Sequence, residues 1–164
     1  MSGHAAETSG VARPSGQIRR ARRNGVSARY HVAPPDAPHG LSWPALYTSL
    51  NLAVAIAEVQ RNIPITALRN HRFTEIWVQV ETVVDCRELD VLGMSGAQPL
   101  DDHDYSVGQS LALASLRGGA ETILVHSATK IGDNPILLPG QLRSGSVVQE
   151  VRFVDPIFTK RPPP

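Results

Sequence analysis

The sequence predicts a mixed α/β chain of the α+β class, with a central sheet and flanking helices. Three observations carry that prediction. A short apolar segment, Ala45 to Ser49, runs into a helical pattern in which Leu52, Ala55, Ile56 and Val59 form one stripe at i, i+3, i+4 and i+7. Phe73 to Asp85 has the period of two expected of a strand. A second helical pattern, Val107 to Arg117, is followed by three apolar runs, Thr122–His126, Ile136–Leu138 and Val147–Val154. Strands interleaved with helices in this way make a sheet that is largely covered.

Taken in order, residues 1–25 are Gly, Ser, Ala and Arg with few large apolar side chains. They read as a flexible basic arm without a convincing strand. Ser27 to His31 reads as a short strand, and Ala33 to Gly40 as a loop whose prolines bar regular hydrogen bonding. Asn51 is a preferred helix N-cap, and Pro64 closes that helix. Glu58 falls on the flank of the apolar stripe, on one face with Asn51, Val54 and Arg61. It is either a partly solvated edge residue or a group held in a cleft.

In the next strand Ile76, Val78 and Val80 point one way, whereas Thr74, Gln79 and Glu81 look polar or edge-like. Val83 and Val84 extend it. Residues 86–105 read as irregular and acidic. Ser106 then reads as the cap of a helix with Leu111, Ala114 and Ser115 on one side and Gly118 as its stop. One domain over residues 26–156 and a Pro-rich tail at 157–164 complete the expected organisation.

A length of 164 residues and an apolar content of 41% suit one domain with a real core. No apolar run is long enough to span a bilayer, and no apolar signal segment is visible near the start. Cys86 is the single cysteine, which excludes an intramolecular disulfide and speaks against a cysteine zinc site. A cytoplasmic domain is expected. The net charge of +1 argues against bulk nucleic-acid binding. Residues 1–40 carry six arginines against Glu7 and Asp36, so a basic arm that touches phosphates competes with the plainer expectation of a solvated arm.

The common catalytic and phosphate-binding motifs are absent. The histidines have no ligand spacing. His31 and His126 read as hydrogen-bonded structural residues, and no metal site is expected. Asp101, Asp102 and Asp104 lack the pattern of a calcium loop. What remains is a set of polar residues at the ends of apolar elements: Arg29, Tyr30, Tyr47, Glu58, Ser127 and Asn134. Arginine offers a bidentate partner for phosphate, and tyrosine a stacking surface with a hydroxyl. A lone glutamate can bond sugar hydroxyls and stabilise positive charge at an anomeric carbon. Such a set suits a nucleotide whose ribose bears a good leaving group.

Three blocks at these residues resemble the RES domain family, named for its Arg, Glu and Ser positions. They are Ala28-Arg29-Tyr30-His31, the segment from Ala45 through Tyr47 to Glu58 and Val59, and the segment from Gly119 through Ser127 to Asn134. Their order and spacing cover about residues 25–155. The chain departs from the family pattern at Ala28, His126 and Pro135, and lacks a recognisable arginine-bearing strand before Arg29.

The resemblance implies a fold similar to the core of ADP-ribosyltransferase toxins. It implies the toxin of a type II toxin–antitoxin pair, neutralised by an Xre-like helix-turn-helix antitoxin through which alone it meets DNA. Such members consume NAD+, a substrate and not a cofactor, by hydrolysis or phosphorolysis of the nicotinamide–ribose bond, and some ADP-ribosylate a protein. Carried over, Arg29 and Tyr30 would hold the pyrophosphate and nicotinamide side, and Tyr47 would pack on the nicotinamide riboside. Glu58 would steady the ribose and its oxocarbenium-like transition state. Ser127 would bind in the same cleft, with Asn134 in the ligand-binding set. Arg29, Glu58 and Ser127 are the expected catalytic residues. A catalytically weakened RES-fold module that only binds a partner or a nucleotide is the alternative suggested by the unusual N-terminus, and a DNA-associated protein acting through the arginine arm is the remaining one.

Overall fold

The computed structural model describes residues 6–12, 27–36, 41–61, 63–64, 72–88 and 104–154. Its strands are β1 (Ala6–Ala12), β2 (Leu46–Ser49), β3 (Phe73–Val80), β4 (Val83–Asp85), β5 (Thr122–His126), β6 (Asp133–Leu137) and β7 (Val147–Val154). Helix α1 (Leu52–Gln60) follows β2, and helix α2 (Ser106–Arg117) precedes β5. The strands form one sheet in the order β4-β5-β6-β2-β1-β3-β7. Every pairing among them is antiparallel except β4 with β5. The mixed α/β class expected from the sequence is the class observed.

Helix α1 forms as its sequence dictates. Asn51 is extended, and its side chain accepts the Val54 N–H at 3.0 Å, which occupies one of the amides left open at a helix start. The apolar stripe then packs Ala55 and Val59 on Phe73 of β3. Helix α2 starts differently from expectation. Ser106 is its first residue and not its cap; the Asp104 carboxylate accepts the Ser106 N–H at 2.8 Å. That bond, together with the Ser106 hydroxyl, holds the Asp104 carboxyl below its ordinary range. At the other end Gly118 is the stop, as expected, capping the helix after Arg117, and the left-handed Gly119 (φ +75°) follows it. Leu111 and Ser115 are buried as expected, but Ala114 faces solvent.

Several local expectations are corrected. The strand β1 lies within residues 1–25, where none was expected, and pairs along its whole length with β3. Its Gly, Ser and Ala residues carry no apolar alternation to betray it. The rest of residues 1–25 and the tail at 157–164 lie outside the described residues, as do Asp101 and Asp102. Ser27 to His31 is not a strand but a tight turn closed by reciprocal Ala28–His31 backbone bonds of 3.1 and 3.2 Å. The prolines after it allow one short 3-10 turn, Pro34–Asp36. Strand β6 begins at Asp133, so Asn134 lies inside it and not before it. Thr74 shares the buried face of Ile76, Val78 and Val80. The sheet is also less covered than expected, because Val151 and Phe153 of β7 are 55% and 61% exposed.

The long strand from Phe73 to Asp85 is interrupted after Val80, and the cause is a single carboxylate. Glu121 is fully buried and accepts the N–H groups of Glu81 at 2.7 Å and Thr82 at 2.9 Å. These are the two residues between β3 and β4. It also accepts the Arg143 N–H at 2.9 Å and the Ser146 hydroxyl. The chain therefore turns at Glu81–Thr82, and β4 pairs in parallel with β5 instead of continuing β3.

Among the described residues the core has three parts, one being Ala55 and Val59 of α1 against Phe73. Tyr30, Val32, Trp43 and Ile123 pack with Leu111 and Ala112 of α2 on one face of the sheet. Ile76, Val78 and Val80 pack with Leu137 and Leu46, so β3 closes over β6 and β2.

Burial would raise the Glu121 pKa, but the four donors outweigh it and hold the group below its ordinary value of 4.5. The linked stability is therefore present above about pH 4.5 and is lost as pH falls through the lowered value. Glu121→Gln places an N–H₂ among donors and should destabilise the fold by about 3 kcal/mol at pH 7. Urea unfolding between pH 3 and 7 should show this loss, and a shallower acid dependence in the variant than in the wild type.

Candidate functional site

The inward turn of α1 decides the fate of Glu58. The side chain is 3% exposed, so it is held inside and not on a solvated edge. One oxygen, Oε1, accepts three bonds: Ser127 Oγ at 2.6 Å, the Ala128 N–H at 2.8 Å and Asn134 Nδ2 at 2.9 Å. Arg61, one turn further along α1, brings its guanidinium to 4.0 Å of Oε2. A carboxylate is an acceptor only, and burying one without donors costs several kcal/mol.

Each donor is itself aimed. The single hydroxyl hydrogen of Ser127 goes to Glu58, so Thr129 must be the donor in the 2.5 Å Ser127–Thr129 hydroxyl contact, and its N–H also reaches Ser127 Oγ at 3.1 Å. The Asn134 amide spends Nδ2 on Glu58 while its Oδ1 accepts the Ser49 hydroxyl at 2.7 Å, which defines its orientation. The loop between β5 and β6 closes with Ser127 N–H on the Gly132 carbonyl at 2.8 Å. A Cβ on Gly132 would lie 2.5 Å from Val54 Cγ2, so this loop sits directly on the first turn of α1.

A second group is built around Tyr47. Its hydroxyl accepts the Tyr30 N–H at 2.8 Å and meets His31 Nδ1 at 3.2 Å. The Tyr30 and Tyr47 rings lie 6.1 Å apart, and the His31 ring stands edge-on to Tyr47 at 5.8 Å. The Trp43 indole donates to the Tyr30 carbonyl at 2.9 Å, so Tyr30 is fixed on both sides of its backbone. The Arg29 guanidinium lies 6.0 Å from the centre of the Tyr105 ring, within cation–π range. Burial pushes the Tyr30 hydroxyl far above its ordinary range; Arg29 opposes this, while Cys86 and Glu58 add to it. The hydroxyl therefore stays protonated and can only meet a ligand as a neutral donor or acceptor.

Strand β2 joins them. Tyr47 and Ser49 are two apart, so they project from the same face roughly 6–7 Å from one another. Glu58, Ser127, Asn134 and Ser49 thus form one hydrogen-bonded group and Tyr30, Tyr47 and His31 a second, with β2 carrying a member of each and Arg29 adjoining Tyr30 in the chain. Asn134 belongs to the first by holding Glu58. His31 and His126 are hydrogen-bonded to Tyr47 and Asp133 respectively. Ser49, Thr129 and the Ala128 amide were not singled out from sequence. Ser49 was legible only as the same-face neighbour of Tyr47, and Thr129 as a hydroxyl two residues after Ser127. Chemically, the arrangement offers a fixed carboxylate beside aromatic surfaces and a guanidinium.

Asn134→Ala would remove a donor from Glu58 and an acceptor from the buried Ser49 hydroxyl. We expect a loss of about 2–3 kcal/mol in a denaturant melt, larger than the loss from Ser49→Ala, which spares the bond to Glu58.

Comparison with known proteins follows the same residues. A comparison with curated proteins finds no match. Among solved structures, the chain is similar to one in the crystal structure of the M. tuberculosis MbcT–MbcA toxin–antitoxin complex. The two are 17% identical, with a TM-score of 0.65 over 92% of this chain and 85% of that one, a likeness of fold. The RES domain model matches residues 4–155, taking in β1 as well as Arg29, Glu58 and Ser127, and the chain therefore belongs to the RES domain family.

Proposed function

We propose that this RES domain is an NAD+-consuming toxin that cleaves the nicotinamide–ribose bond. The observation that carries the proposal is Glu58, a buried carboxylate fixed by three donors, one of which is held by Ser49 two residues along β2 from Tyr47. As the bond breaks, its electron pair goes to the nicotinamide nitrogen and positive charge builds on the ribose. A carboxylate already oriented by Ser127, Ala128 and Asn134 stabilises that charge without reorganising. Tyr47, backed by the buried Tyr30 ring, supplies the surface for the nicotinamide riboside, and Arg29 the partner for the pyrophosphate. Water or phosphate then forms the new bond to the anomeric carbon and loses its proton.

An antitoxin partner is part of the proposal, because the similar solved structure is a toxin–antitoxin complex. We assign that partner to the Xre-like helix-turn-helix class and the action to the cytoplasm, where NAD+ is available. No helix among the described residues is long and apolar enough to cross a membrane. The alternative, a weakened binding-only module, was suggested by the lack of an arginine-bearing strand before Arg29. Strand β1 supplies a strand there, paired with both β2 and β3, but its residues Ala6–Ala12 include no arginine, so that alternative is an outcome of the test below. Transfer of ADP-ribose to a protein would use the same Glu58 and differ only in the acceptor.

The test is release of nicotinamide from NAD+ by purified protein, with and without inorganic phosphate. Glu58→Gln keeps the size of the side chain and removes its charge. It should lower the rate by about 10²–10³-fold while the protein stays folded. An unchanged rate would remove Glu58 from the mechanism, and a phosphate requirement would separate phosphorolysis from hydrolysis.

A further inference from the structure

Helix α2 meets the Arg29 segment along one face. Tyr105, Gly108 and Gln109 are spaced i, i+3 and i+4, and each touches it differently. The Tyr105 ring lies 6.0 Å from the Arg29 guanidinium. Gln109 Nε2 donates to the Ala28 carbonyl at 3.2 Å. Gly108 is pressed against Arg29 itself: a Cβ there would lie 2.5 Å from the Arg29 carbonyl oxygen and 2.8 Å from Arg29 Cγ. Glycine inside a helix costs about 1 kcal/mol relative to alanine, so its presence needs a packing reason. Its backbone is helical, which leaves space, not conformation, as that reason. Gly118, the cap at the end of the same helix, is a contrast, because a Cβ there meets nothing nearer than 3.5 Å.

We infer that Gly108, supported by Gln109 and Tyr105, is a positioning residue that sets where Arg29 enters the site. The inference rests on the reading of the chain as an NAD+-consuming enzyme, and it names how α2 serves that site. Any side chain at position 108 must displace the Ala28–Tyr30 turn by a sizeable part of an ångström. That turn also carries the Tyr30 N–H bonded to Tyr47, so the guanidinium and the aromatic pair move together.

The experiment compares wild type, Gly108→Ala, Gly118→Ala, Gln109→Ala, Arg29→Ala and the Arg29/Gly108 double variant in NAD+ consumption, with folding checked by circular dichroism. Displacing a binding arginine removes interactions made equally in ground and transition states. Gly108→Ala should therefore raise KM by about 10-fold or more with kcat within about twofold. Gln109→Ala should raise KM by about 3-fold, the loss of one modest hydrogen bond. Gly118→Ala should match wild type, and the double variant should be no worse than Arg29→Ala alone. A folded Gly108→Ala with wild-type KM, or additive effects in the double variant, overturns the inference. If Gly108→Ala does not fold, a wild-type KM in Gln109→Ala overturns it. A wild-type protein that leaves NAD+ intact defeats the enzymatic reading instead. Positioning is then read from the Arg29 Nε–H resonance by NMR, which must shift in Gln109→Ala and in any folded Gly108→Ala but not in Gly118→Ala. An unmoved resonance overturns the inference on its own.

Discussion

Glu58 Oε1 gathers three donors that lie 69, 70 and 76 residues further along the chain. That separation is the constraint around which the rest is arranged. A carboxylate buried on α1 is unfavourable until the turn after β5 and the start of β6 have come to meet it, so the docking of α1 and the closure of that loop depend on each other. The loop is shaped for this meeting. Lys130 takes the left-handed conformation (φ +61°), and Gly132 leaves room for Val54 on the first turn of the helix. Thr129 then has one hydroxyl hydrogen to give, and gives it to the serine that is already committed to Glu58.

The same logic extends through β2. Its outer neighbour β6 brings Asn134 to Ser49, while the turn before it brings Tyr30 to Tyr47. A four-residue strand thereby links the carboxylate to the aromatic pair, and its rigidity sets the spacing between them. Helix α2 completes the arrangement, with Gly108 admitting the Arg29 backbone. A site held by strands and short helices in this way carries its dipoles in place before any ligand arrives, which is the property that makes electrostatic stabilisation effective.

How much of this was legible in sequence follows from the range of the interactions. Asn51, the stripe from Leu52 to Val59 and the strand Thr122–His126 are local signals, and they appear where the periodicity puts them. The break after Val80 is not local, because it is made by Glu121 from forty residues away. Strand β1 was invisible for a different reason: Gly, Ser and Ala pair through their backbones without an apolar alternation. Within the site, Arg29, Tyr30, Tyr47, Glu58, Ser127 and Asn134 stood out as polar residues at the ends of apolar elements, and the family pattern gave them roles. Ser49, Thr129 and Gly108 stayed hidden because their meaning lies in what they touch. Gly108 in particular resembles any tolerated helical glycine until the Arg29 carbonyl is placed against it.

Burial of a charge does not by itself mark a functional site, and this chain holds the comparison within it. Glu121 is more deeply buried than Glu58 and accepts four bonds against its three. Its donors are two turns and a hydroxyl, and their effect is to end β3, start β4 and fix the approach to β7. Every bond to Glu121 is explained by chain geometry. Glu58 accepts one turn amide, that of Ala128, but its other partners are a serine and an asparagine oriented by further hydroxyls. The Arg61 guanidinium lies 4.0 Å from its second oxygen, and the Ser49 that supports its asparagine stands two residues along β2 from Tyr47 of the aromatic pair. A structural carboxylate needs donors; it does not need an aromatic pair and a guanidinium assembled within reach of its charge. That surplus of organised polarity around Glu58, and not its burial, is the physical ground for placing chemistry there.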